Sequence, residues 1–417
     1  MARRTARQRP LGPWGFLRRA LGGPGQRTVR QPLISLALNS TTSLLAGGVL
    51  GSITGTLEHL PGLLVLVPAA IGLRGNVFST LGSRLSTSIH AGTFRLSIRR
   101  DTLLGQNVLA AMALTASMSV LLAAVAKLTT IAFGLPGAIS FVELALVSTV
   151  GGVLASVVVL GATMVLAAGS VRYGWDLDNV VAPVVSTLGD VLTLPALWLA
   201  THLVGIHLLT NATGALLIAG GLATLVISWR TDRAVLRQVV QESTPVLLVA
   251  AALSSLAGVV LEKRLDTLGS FPSLLVLVPA FVSSAGALGG ILASRLATKL
   301  HLGMIAPERF PGKTARRDAW LLLLLGAPVY LFNAGGAHLI ARLLGHASPG
   351  LLPMIEVSLL GGFFTTAFVV LVAFYSASLS FRVGVDPDTY GIPTVTSTVD
   401  FFGSVALIVT AVALGLA

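Results

Sequence analysis

The chain has 417 residues, 54% of them hydrophobic and only 11% charged, with a net charge of +12 and no cysteine. Soluble domains carry about 25% charged residues, so this composition excludes an ordinary soluble enzyme. The missing cysteines exclude a disulfide scaffold, a thiol nucleophile and a Cys-type zinc site.

Residues 1–35 open the chain as a basic segment. Arg3, Arg4, Arg7, Arg9, Arg18, Arg19, Arg27 and Arg30 stand there with no acid. No apolar core with a cleavage site follows, so the segment reads as a cytoplasmic topogenic anchor, not a secretory signal. A bilayer crossing needs about 20 apolar residues. Runs of that kind predict eleven transmembrane helices, over 36–57, 60–82, 103–132, 141–171, 183–207, 211–229, 245–261, 271–298, 319–343, 351–381 and 393–416. With the N-terminus inside, most Lys and Arg between spans fall inside; Lys127, Lys263, Arg264 and Arg342 fall outside, and Arg74 falls mid-membrane. The positive-inside rule therefore predicts a multi-pass cell-membrane protein with its N-terminus cytoplasmic and its C-terminus outside. The charge is spent on topology, and nucleic acid is not an expected partner.

The chain repeats itself. Leu63-Leu64-Val65-Leu66-Val67-Pro68-Ala69 returns as Leu274-Leu275-Val276-Leu277-Val278-Pro279-Ala280, and at the same offset Gly75 meets Gly286 and Ser83-Arg84-Leu85 meets Ser294-Arg295-Leu296. Further on, Asp176, Asp178, Pro183 and Asp190 meet Asp386, Asp388, Pro393 and Asp400. The fold class read from this is all-α: repeat one over 36–208, a linker helix and cytoplasmic loop over 209–244, and repeat two over 245–417. Each repeat has five spans, an odd number, so the extra span at 211–229 restores orientation and makes the repeats parallel. Substrate sites lie at the interface of such repeats.

Asp190 and Asp400 fall inside predicted spans, where a charge costs several kcal/mol and faces a cavity or a partner. Helical spacing sets Thr187, Ser186 and Pro183 on the face of Asp190, and Ser397, Thr396 and Pro393 on the face of Asp400. Such an all-oxygen surface suits a hard cation. Mg²⁺ suits it in particular, since it keeps several waters and binds through one or two carboxylates. Asp176, Asp178, Asp386 and Asp388 read as helix N-caps or as an acidic vestibule that concentrates cations, and Glu143 and Glu356 as acids that complement helix dipoles or as an outer cation-attracting ring. Arg74 reads as one member of an ion pair with a carboxylate such as Asp190, or as a cation that snorkels along the broken helix. His202 and His207 lack ligand spacing. Two other classes compete: an intramembrane aspartyl protease, whose Gly-x-Gly-Asp and Tyr-Asp signatures are missing, and a proton- or sodium-coupled carrier for another solute.

The segments Val67-Pro68-Ala69-Ala70-Ile71-Gly72-Leu73-Arg74-Gly75-Asn76 and Asp176-Leu177-Asp178-Asn179-Val180-Val181-Ala182-Pro183, running on to Asp190, resemble the MgtE-like magnesium transporters. With the second copy, Asp386-Pro387-Asp388, Pro393 and Asp400, the arrangement is similar to the duplicated solute-carrier family 41 branch. The resemblance implies a divalent-cation transporter, not an enzyme, with Mg²⁺ as cargo and no resident cofactor. It implies that Asp190 and Asp400 line the pore, and that Asn76, at the Gly-Asn break of the second helix, borders it. The expected partners are a divalent cation and the lipid bilayer, and the chain reads as a monomeric pseudo-dimer. Ala287 stands at the position of Asn76 in the second copy, so the halves are not equivalent. Single-repeat members carry large sensor domains; with only residues 1–35 before the first span, gating by such a domain is not expected here.

Overall fold

The computed structural model describes residues 26–416 apart from 174–176, 206, 302, 308 and 384–386. For residues 26–31, 90, 177–183, 186, 207–209, 301 and 387–394 it describes the backbone alone. Most of the basic segment, Asp176 and Asp386 thus lie outside the described residues, as do the side chains of Asp178, Asp388, Ser186, Pro183 and Pro393.

Thirteen helices make up the described secondary structure. They are α1 (Gln26–Ser52), α2 (Thr54–His59), α3 (Leu63–His90), α4 (Leu103–Ala132), α5 (Phe141–Tyr173), α6 (Leu177–Thr201) and α7 (His207–Arg230), followed by α8 (Ala234–Glu262), α9 (Leu265–Ser270), α10 (Pro272–His301), α11 (Lys313–Leu343), α12 (Leu351–Val383) and α13 (Pro387–Ala413). No strand occurs among the described residues. This is what a bilayer demands, since a helix satisfies its own backbone groups where water is absent. Ten helices are long and apolar enough to span; in α6 the described apolar stretch, Thr187–Thr201, is shorter. The protein is an all-helical, polytopic membrane protein. Its outward surface carries Val157, Val165, Phe363 and Phe364, all exposed, as lipid contact requires.

The helices outrun the apolar stretches. α8 starts at Ala234, well before the expected 245, and α3 continues to His90 instead of stopping near 82. An apolar window marks only the part of a helix in hydrocarbon, whereas backbone hydrogen bonding propagates into water once a helix exists. The loop expected before repeat two therefore shrinks to residues 231–233. At the other end of α6 the helix stops at Thr201, short of the expected 207, and Gly205 takes φ +95° in the turn that follows. Only glycine adopts that conformation without strain.

Packing mixes the two sequence halves. α1 lies mainly against α10 and also on α11 and α6; α8 lies against α3, α4 and α13. The first helix of each half is therefore seated on the second and third helices of the other half. Glycine permits both crossings. A Cβ at Gly47 would stand 2.0 Å from the Val276 carbonyl oxygen, and one at Gly258 would stand 2.5 Å from the Val65 Cα. These positions correspond: the offset that carries Val65 to Val276 also carries Gly47 to Gly258. Small residues let membrane helices approach to backbone contact, where dispersion replaces the missing hydrophobic drive. Within the halves, α6 packs on α3 and α5, and α13 on α10 and α12. A Cβ at Gly151 would meet the Leu197 Cα at 2.8 Å, and one at Gly361 the Leu407 Cα at 3.5 Å. α7 rests on α4 and α5 and touches α8.

Candidate functional site

Asp190 sits on α6 at 9% exposure, deep in the bundle. Its Oδ2 accepts from Ser43 Oγ on α1 at 2.9 Å and from Ser283 Oγ on α10 at 3.2 Å. Asn39, one turn before Ser43 on α1, approaches the Ser283 hydroxyl at 3.1 Å through Nδ2. The arrangement that satisfies all three has the amide donating to Ser283 and Ser283 giving its one proton to the carboxylate. A second polar layer lies behind. Ser40 and Ser284 are hydrogen-bonded at 3.0 Å, and Asn333 of α11 donates to Ser284 at 2.9 Å and to the Ala280 carbonyl at 3.1 Å. Charge-assisted hydrogen bonds offset part of the desolvation that a buried carboxylate suffers.

Asp400 sits on α13 with a simpler set of partners. Its Oδ2 accepts from Ser254 Oγ on α8 at 2.6 Å. The same oxygen lies 3.9 Å from where a Cβ of Gly72 on α3 would stand. The partners match by repeat position: Ser43 corresponds to Ser254, and Ser283 to Gly72. Each acid is thus held by the first helix of its own half and faces the second helix of the other half.

Hydroxyls on neighbouring helices, Ser43, Ser283 and Ser254, donate to the two acids. Thr187 comes within 3.5 Å of the Thr42 hydroxyl on α1. Thr396 packs where a Cβ of Gly286 would stand, at 3.7 Å, and Ser397 is buried. The side chain of Ser186 lies outside the described residues. Asn76, one turn past Gly72 on α3, lines a cavity with Thr80, Arg84, Asn107 and Glu242. Ser43, Ser254 and Ser283 were missed because hydroxyls at single positions on apolar helices are common. The repeat offset that pairs Ser43 with Ser254 was the signal that could have found them.

The ion-pair reading of Arg74 is corrected. Its guanidinium, 1% exposed, turns into the contact of α3, α4 and α5 and donates to the Ala70 carbonyl at 2.5 Å, Ser119 Oγ at 3.4 Å and the Ser148 carbonyl at 3.3 Å. No carboxylate pairs with it among the described residues. A Cβ on Gly152 would collide with its Nη2 at 2.0 Å. In the other half Ala285 replaces Arg74, and Tyr330 fills the space over Gly362 and bonds Thr366 at 3.2 Å. Glu143 closes a capping box with Ser140, at 2.7 Å and 3.2 Å, and so secures the start of α5.

No group of three or more His, Cys, Asp or Glu side chains gathers among the described residues. Each of the two buried acids therefore stands as a single carboxylate among hydroxyls or bare backbone, a donor set suited to an ion that keeps most of its water.

Residues 67–200 and 278–410 each match the MgtE family, described as a divalent cation transporter. The two copies cover more than half of the sequence. The chain belongs to the MgtE family. It is similar to solute carrier family 41 member 2 of Gallus gallus, 30% identical over 408 residues, or 91% of this chain and 69% of that protein. The human member 2 is 29% identical over 371 residues, 83% of this chain and 63% of that protein. Member 3 of Rattus norvegicus is 28% identical over 405 residues, 90% of this chain and 85% of that protein. The chain thus spans about two thirds of the length of its member 2 relatives. No solved structure matches it. Asp190, Asp400, Gly72, Asn76 and Ser283 fall within the matched MgtE segments, while Ser43 and Ser254, on the exchanged first helices, fall before them.

Proposed function

We propose that this MgtE-family protein carries Mg²⁺, still partly hydrated, along a passage between its two repeats lined by Asp190 and Asp400. The observation that carries the reading is a buried carboxylate wherever the two repeats meet. Ser43 and Ser283, from opposite halves of the sequence, meet at Asp190, and Ser254 and Gly72, again from opposite halves, meet at Asp400. In this reading the repeats are parallel and related by a pseudo-twofold axis along the membrane normal. The Arg-rich loops lie in the cytoplasm with the N-terminus, and the C-terminus lies outside. Asn76, Thr187, Ser186, Thr396 and Ser397 would present oxygen atoms to the water shell of the ion.

The test is Mg²⁺ flux in proteoliposomes holding the purified chain, with and without a Na⁺ or pH gradient. Wild-type protein is expected to move Mg²⁺. The double substitution D190N/D400N keeps side-chain size, removes both charges and is expected to cut flux at least tenfold, equivalent to about 1.4 kcal/mol. Undiminished Mg²⁺ flux through the folded double variant would end this reading.

A further inference from the structure

Asn76 lines a cavity between α3, α4 and α8. Its polar wall is formed by Asn76, Thr80, Arg84, Asn107, Glu242 and Ser243, and its volume is about 110 Å³. A water needs roughly 15 Å³ measured this way, so several fit. Both long walls lead back to Asp400. Asn76 lies one helical turn from Gly72, which faces the Asp400 carboxylate. Leu247, also in the wall, lies two turns before Ser254, which bonds that carboxylate.

An ion pair stands at the far end. Arg84 Nη2 and Glu242 Oε2 are 3.6 Å apart, with the two side chains 27% and 52% exposed. That distance is an electrostatic contact rather than a hydrogen bond, and a half-exposed pair of this kind separates at little cost. Glu242 also accepts from Gln238 Nε2 at 2.8 Å, which steadies the acid. Arg84 Nη1 is buried with no hydrogen-bond partner, a donor left over inside the wall.

In the other half Arg295 stands at the position of Arg84, but the residues around it differ. At the same offset Ala287 and Ile291 replace Asn76 and Thr80, and Gln31 stands where Glu242 does. Asp318, at the position of Asn107, is bonded by Lys299.

We propose that this cavity is the port through which the cation passes between water and Asp400, and that Arg84–Glu242 is the latch across its mouth. Closed, the guanidinium repels a divalent ion and neutralises Glu242. Open, Glu242 is freed as the first acid the ion meets. This inference rests on the proposed passage, but its test reads water access and not ion movement.

The cysteine-free chain makes that test direct. Asn76→Cys is introduced alone and then with Glu242→Gln, Arg84→Gln or the charge swap R84E/E242R. Labelling by a charged, water-soluble thiol reagent is timed in proteoliposomes. Labelling should be slow in the first protein, at least tenfold faster with either single neutralisation, and slow again in the charge swap. Equal rates in all four folded proteins would overturn the latch. A charge swap as fast as the single variants would overturn it too, because speed would then reflect local damage rather than a lost pair. Either result stands apart from whether the protein carries Mg²⁺.

Discussion

The surroundings of Asp190 and of Asp400 descend from one repeated sequence, yet they differ chemically. Asp190 is held by two hydroxyls, with Asn39, Ser40, Ser284 and Asn333 behind them. Asp400 has Ser254 and, opposite it, the bare backbone of Gly72. Ala250, Ala251 and Leu253 stand where Asn39, Ser40 and Thr42 stand in the other half. The helix crossings, by contrast, are kept in both copies. Duplication has preserved the backbone contacts and let the polar lining drift. One acid has become a fixed element held by two hydroxyls, and the other a barer one on the side where the Asn76 cavity lies.

The preserved crossings can be broken first, with the largest expected effect. Gly47→Val and Gly258→Val each force a side chain into a backbone at 2.0 Å and 2.5 Å. Each should destabilise the folded protein by about 3 kcal/mol or more, read by thermal unfolding in detergent. If one is tolerated and the other is not, the two crossings are not equivalent.

A smaller effect probes the acids themselves. Ser254→Ala removes the hydroxyl on Asp400, whereas Ser43→Ala leaves Ser283 on Asp190. A hydrogen bond to a charged group contributes about 1.5–3 kcal/mol. Mg²⁺ flux should therefore fall roughly tenfold in Ser254→Ala and clearly less in Ser43→Ala. Equal losses would mean that the described asymmetry has no bearing on transport.

The smallest change tries to erase the asymmetry. Gly72→Ser supplies Asp400 with the hydroxyl that Ser283 supplies to Asp190, and the 3.9 Å clearance is ordinary contact. It should fold normally and, in the Ser254→Ala background, recover about threefold of the lost flux, near 0.7 kcal/mol. No recovery would show that Gly72 is kept for close approach rather than as a neutral gap.

Much of this was legible in the sequence because hydrocarbon imposes strict rules. Long apolar runs could only become helices, and Asp190 and Asp400 stood out because charges inside such runs are costly. Helix ends were less legible, since α8 begins in a polar stretch where no apolar window reaches. Arg74 misled for a related reason. A lone cation suggests a carboxylate, but carbonyls exposed along α3 and α5 supplied acceptors that no side-chain pattern announces.

The amino-acid sequence by itself determined that this is a duplicated, helical membrane protein of the MgtE type with one acid in a late helix of each copy. Periodicity, hydropathy and the repeat offset are properties of the chain alone. Only the tertiary structure decided that the first helices exchange halves, that Ser43, Ser254 and Ser283 hold the acids, and that Asn76 lines a cavity with Arg84 and Glu242. Those facts depend on which helix faces lie at van der Waals distance, and that follows from glycine-permitted crossings summed over the whole bundle.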